Sequence, residues 1–98
     1  MNKSELSKDP YINLAMAIIE QAIDDYVWGL INCKSTNVQT SNKANYFVHH
    51  IPRFFKSDYF KNLTDIVDID ESIVLRMIEK KYNMKVTKLK KVGDDNVV

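Results

Sequence analysis

The side chains able to do chemistry are few and scattered. Cys33 is the single cysteine, and the two histidines, His49 and His50, are adjacent. On a helix, neighbouring side chains point about 100° apart, so the two imidazoles cannot face one metal ion. They read as ordinary surface or half-buried histidines, and neither CxxC nor HExxH spacing occurs. A lone thiol near a helix end reads as a small buried hydrophobe rather than as a nucleophile paired with a histidine. Glu20, Asp24 and Asp25 share one face of a helix, where two of them could hold a proton as an acid–base pair. A solvated polar stripe accounts for them more simply. Asp65, Asp68, Asp70 and Glu71 lack the turn glycine of a calcium loop, and Ile66, Val67 and Ile69 interrupt their spacing. Helix capping is the expected use of that group. Phosphate-cradling loops need glycines for close backbone approach, and only Gly29 and Gly93 are present. No catalytic, metal-ligating or cofactor-binding residue is assigned, and the chain is expected to be no enzyme.

Binding chemistry is better represented. Lys80, Lys81, Lys85, Lys88, Lys90 and Lys91 occur with no acid among them. Such a run can neutralise phosphates without reading sequence, so Lys81, Lys85, Lys88, Lys90 and Lys91 are the candidate nucleic-acid contacts. Arg, the favoured reader of guanine, is absent from the run; the two arginines are Arg53 and Arg76. Phe54, Phe55, Tyr59 and Phe60 could stack on bases, but at helical spacing they read as core. FFKSDYFKNLT and DESIVLRMIEKKY, joined by a short turn, have the outline of a helix-turn-helix unit.

The composition frames these options. The 98 residues suit one domain, and 14 basic against 13 acidic residues leave a net charge of +1. No global field therefore pulls the chain toward nucleic acid or an anionic membrane. Apolar residues at 45% and charged residues at 28% make an ordinary globular balance. One cysteine precludes an internal disulfide framework and fits a reducing cytoplasm. No apolar run approaches the ~20 residues of a membrane span, and MNKSELSKDP carries no secretory h-region.

Periodicity then supplies the elements. Asp9-Pro10 starts a helix in which Ile12, Ala15, Ile19, Ala22, Ile23, Tyr26 and Leu30 recur at helical spacing. Its polar residues occupy an arc of about 140°, leaving an apolar arc of about 220° where a surface helix needs about 100°. This helix is either the centre of the domain or in part an interface. Trp28, together with Leu14, Met16 or Ile31, is the candidate contact surface for a second copy or a macromolecular target. Residues 34–43 read as a polar loop, with Ser41 or Asn42 capping a helix that stops or kinks near Ile51, before Pro52. Ser57 caps a short helix from Asp58, and Asp70 caps another with Ile73, Val74, Met77, Ile78 and Tyr82 on one face. Arg76, Lys80 and Lys81 are expected to face water, and Asn83 to end the helix. MKVTKLKKV can then pair as a short strand or trail as an extended basic tail. Phe55, Tyr59 and Leu63 are expected to pack with Ile73, Met77 and Ile19. The expectation is an all-α domain of three to four helices over 1–98, frayed at 1–8 and 93–98.

The helix core AIIEQAIDDY (17–26) and the block RFFKSDYFKNLTDIVDIDESIVLRMIEKKY (53–82) together resemble a group of short proteins of phages and integrative elements of Gram-positive bacteria. The matching residues are Phe54, Phe55, Ser57, Asp58, Tyr59, Phe60, Leu63, Thr64, Asp68 and Asp70, and the resemblance spans about residues 14–82. The turn DIVDID is two residues longer than the group's pattern, and the basic tail is an addition. The resemblance implies a phage or mobile-element accessory protein and carries no catalytic residue across. Small size and the absence of any catalytic constellation then favour a protein that binds a host or phage macromolecule in the bacterial cytoplasm, as an adaptor, an inhibitor or an anti-defence factor of the anti-CRISPR type. A DNA-binding regulator using residues 53–91 is the alternative.

Overall fold

The computed structural model describes the backbone of residues 9–97 and the side chains of residues 9–89. It is all-α, with four helices and, among the described residues, no strand: α1 Pro10–Asn32, α2 Val38–Phe55, α3 Asp58–Ile66 and α4 Glu71–Val97. The fraying expected at 1–8 and 98 lies outside the described residues, whereas 93–97 belong to α4.

Each helix begins where a side chain can accept an orphan amide proton. The Asp9 carboxylate accepts from the backbone N–H of Tyr11 and Ile12, with Pro10 at the first helical position. Ser57 Oγ accepts from Phe60 N–H at 3.2 Å, and Asp70 Oδ1 from Ile73 N–H at 3.0 Å. The second helix departs from expectation: its cap is Asn37, whose side chain accepts from Thr40 N–H, so the loop at 34–43 shrinks to the stretch before Val38. The polar residues Gln39, Asn42 and Lys43 lie on the exposed face of the first turns instead. On the inner side, the Ser41 hydroxyl and Asn45 Nδ2 both donate to the Cys33 carbonyl, at 3.0 and 3.2 Å. They satisfy an acceptor that the end of α1 leaves open.

α1 is the central helix and packs on each of the other three. Ala15, Ile19, Ile23 and Val27, four residues apart, form its buried row. Ala44 of α2, Phe60 and Leu63 of α3, and Val74 of α4 complete the buried core, with Phe54, Phe55, Ile69, Met77 and Ile78 partly buried around it. α1 and α2 approach closely at Gly29, where an added Cβ would stand 2.9 Å from the Ala44 carbonyl oxygen.

Three further expectations are corrected. α2 runs through Pro52 to Phe55 without stopping at Ile51. Proline removes one helical hydrogen bond, but continuing delivers Phe54 and Phe55 to Phe60, with ring centroids 5.3 and 5.0 Å away. Tyr59 is 55% exposed, and Phe60 fills the core position assigned to it. α4 neither stops at Asn83 nor turns into a strand; residues 84–92 are helical. The period-2 alternation of MKVTKLKKV also reads at helical spacing, and a helix already running needs no new nucleus.

The turn between α3 and α4 holds the one non-glycine residue with positive φ among the described residues, Asp68 at 57°. Asp68 N–H bonds the Asp65 carbonyl and Ile69 N–H the Thr64 carbonyl, closing α3 with a Schellman motif. Asp serves in the left-handed position where a glycine would be usual.

Candidate functional site

The four residues expected to form one contact surface are not brought together. Leu14 is 60% exposed at the start of α1, about 21 Å along the axis from Trp28 at 1.5 Å per residue. Met16 and Ile31 are half-buried, and Ile31 packs against the core. Trp28, 37% exposed, gains its neighbours from α2 instead. Its ring meets Phe47 edge-on with centroids 6.0 Å apart, and Phe47 meets Tyr46 at 6.2 Å. Tyr46 in turn lies 4.1 Å from the His50 ring. Lys43 Nζ stands 5.6 Å from the Trp28 centroid and 5.9 Å from that of Phe47, within reach of a cation–π attraction. The α1–α2 crossing at Gly29 makes this row possible, because it lets Phe47 close on Trp28. The spacing 43, 46, 47, 50 on α2 is an amphipathic signal, but residues 34–43 read as a loop and hid its first turn.

A groove lies elsewhere on the bundle. An open groove of about 790 Å³ runs between the end of α2, α3 and the first turns of α4. Phe55, Phe60, Ile69, Val74, Leu75 and Ile78 supply its apolar lining, while Asp58, Asp65, Asp70, Glu71, Lys56 and Lys61 stand along it.

A few titratable groups are engaged locally. Asp24 Oδ1 receives Lys81 Nζ at 2.7 Å and has no further partner, and Asp25 Oδ1 accepts from Gln21 Nε2. Asp24 and Asp25 thus have separate partners, and Lys81 reaches α1 while its side chain stays 39% exposed, with Arg76 and Lys80 facing water. Asp70 is held below its ordinary pKa, first by the Ser72 hydroxyl donated at 2.7 Å, then by Ile73 N–H. Cys33 Sγ donates to the Leu30 carbonyl at 3.6 Å. Among the described residues no three His, Cys, Asp or Glu side chains converge on a point where a metal ion could sit. Of the candidate nucleic-acid contacts, Lys85 and Lys88 are exposed on α4, Lys81 is committed to Asp24, and the side chains of Lys90 and Lys91 lie outside the described residues.

No helix among the described residues is long and apolar enough to cross a membrane. Neither family models, curated proteins nor solved structures yield a match to the chain.

Proposed function

We propose that the chain is a non-enzymatic accessory protein of a phage or mobile element, and that it binds a host or phage protein through the aromatic face of α1 and α2. The observation that carries this reading is the row Trp28, Phe47, Tyr46 and His50, flanked by Lys43, with Tyr46 59% exposed. Trp and Tyr dominate the binding energy of protein interfaces, because they offer large, stiff contact area with a polar handle. The source rests on the resemblance of residues 17–26 and 53–82, with the bacterial cytoplasm as the compartment that goes with it, and the role as adaptor, inhibitor or anti-defence factor rests on the small size and the scattered chemistry of the chain.

Affinity capture from a Gram-positive host lysate tests this, with the parent chain beside Trp28→Glu, Tyr46→Glu and Lys85→Ala/Lys88→Ala variants. The expected result is one stoichiometric protein partner retained by the parent and the lysine variant. Tyr46→Glu should lose it at unchanged helical content. A partner indifferent to Tyr46→Glu overturns the assigned face. Recovery of nucleic acid alone, lost with the lysine variant, favours the DNA-binding regulator, whose support is the exposed pair Lys85 and Lys88 on α4.

A further inference from the structure

The longest helix outruns the bundle it belongs to. α4 is anchored near its start by Val74, Met77 and Ile78, and by the Lys81–Asp24 pair. Beyond that pair Met84, Lys85, Thr87, Lys88 and Leu89 are all exposed. Leu75, Ile78, Tyr82, Val86 and Leu89 nevertheless fall within an arc of about 80°, a continuous apolar stripe about 21 Å long. Leu75 is 58% exposed, Tyr82 37% and Leu89 56%. Among the described residues nothing covers the exposed positions of this stripe.

The two halves of the stripe differ in charge. Leu75 and Ile78 form one wall of the 790 Å³ groove, where four carboxylates (Asp58, Asp65, Asp70 and Glu71) stand against two lysines. Tyr82, Val86 and Leu89 sit among Lys80, Lys81, Lys85 and Lys88, with no acid from 80 to 89. One half is an acidic apolar groove, and the other is a basic apolar helix face.

We propose that the occupant of the groove is a second copy of the chain, in an antiparallel pair in which each copy lays the Tyr82–Leu89 half of α4 into the other's groove. The spacing supports this register. Leu75 and Leu89 lie seven residues either side of Tyr82, and Ile78 and Val86 lie four either side. A two-fold axis at Tyr82 therefore sets Leu75 against the partner's Leu89 and Ile78 against the partner's Val86. The pairing is isologous, so every contact occurs twice. A parallel pair would set lysine against lysine and leave both grooves empty, which is a repulsive arrangement. This surface is separate from the aromatic face of α1 and α2, so a dimer leaves that face open.

Analytical ultracentrifugation of the full chain from micromolar to millimolar concentration tests the pairing. The parent should populate a dimer that weakens with added salt, and Leu89→Glu, at an exposed position, should abolish it at unchanged helical content. Charge exchange fixes the register. Lys85→Glu/Lys88→Glu and Asp65→Lys should each weaken self-association by about tenfold or more, the scale of lost interfacial charge pairs. Mixed together, the two variants should regain the parent's affinity as a heterodimer, because each then meets the opposite charge. A parent that stays monomeric throughout overturns the proposal. So does a dimer that survives Leu89→Glu, or a mixture that associates no better than its components.

Discussion

Gly29 illustrates how one missing methyl group sets the arrangement of two helices. Alanine is the better helix former by about 1 kcal/mol, so local propensity alone favours Gly29→Ala. The added Cβ, however, would meet the Ala44 carbonyl oxygen at 2.9 Å, Phe47 Cβ at 3.1 Å and Val48 Cγ2 at 3.2 Å. The nearest of these is backbone and cannot swing aside, so α1 and α2 must part. Gly29→Ala should destabilise by about 1–3 kcal/mol in denaturant unfolding, the usual cost of overpacking. It should also loosen Trp28 from Phe47, which Trp fluorescence reads. At Asp70 the expected effect is a pH dependence. Its folded pKa is lowered by Ser72 and Ile73, bonds that unfolding breaks. Its contribution is therefore complete above the ordinary Asp pKa and is lost as pH falls through the lowered value. Stability measured from about pH 5 toward pH 2 should fall less steeply for Asp70→Asn than for the parent, since the amide keeps an acceptor for Ile73 N–H but does not titrate. Equal slopes would place the acid sensitivity elsewhere.

Within the elements, α3 gives the sharpest contrast between adjacent residues. Phe60 is 5% exposed and meets both Phe54 and Phe55, whereas Tyr59 is 55% exposed. Phe60→Ala should cost about 3–5 kcal/mol, close to the whole stability of so small a domain. Tyr59→Ala should cost under about 1 kcal/mol, as surface changes do. Thermal melts of the two variants separate these outcomes, and equal losses would place the core on the wrong face of α3. α4 is tied to α1 by the Lys81–Asp24 pair, but both side chains keep much of their exposure, at 39% and 45%. Solvent screens such a contact, so Lys81→Met should change stability by less than about 1 kcal/mol. The apolar contacts of Val74 and Met77 hold the helix, and a larger loss would assign that role to the ion pair.

At the scale of the whole molecule, the dimensions of 48 × 30 × 22 Å describe an elongated body. A 27-residue α4 spans about 40 Å at 1.5 Å per residue, longer than the partners that flank it. If that overhang pairs between copies, folding and association are linked. The Tm should then rise with chain concentration and fall with added salt, and Leu89→Glu should remove the concentration dependence. A Tm independent of concentration would assign the melting transition to a monomer.

The helix starts at Asp9, Ser57 and Asp70 were legible in the sequence because a cap is a local device: one side chain, two or three residues from the amide it serves. So were the all-α class and the excess apolar arc of α1, which the structure uses to make that helix central. What sequence could not decide were choices between neighbouring alternatives of similar local merit. Asn37, Ser41 and Asn42 are all competent caps, and the bonds of Ser41 and Asn45 to the Cys33 carbonyl favour the earliest. Pro52 argues for a helix end, and the burial of Phe54 and Phe55 overrides it. Tyr59 and Phe60 differ by one position, and only the placement of α3 against α1 determines which side chain is turned inward. The candidate surface followed the same rule. Trp28 stood out on α1, but its companions came from α2, because a helix wheel ranks residues within one element and cannot tell which face of a second helix will close upon it.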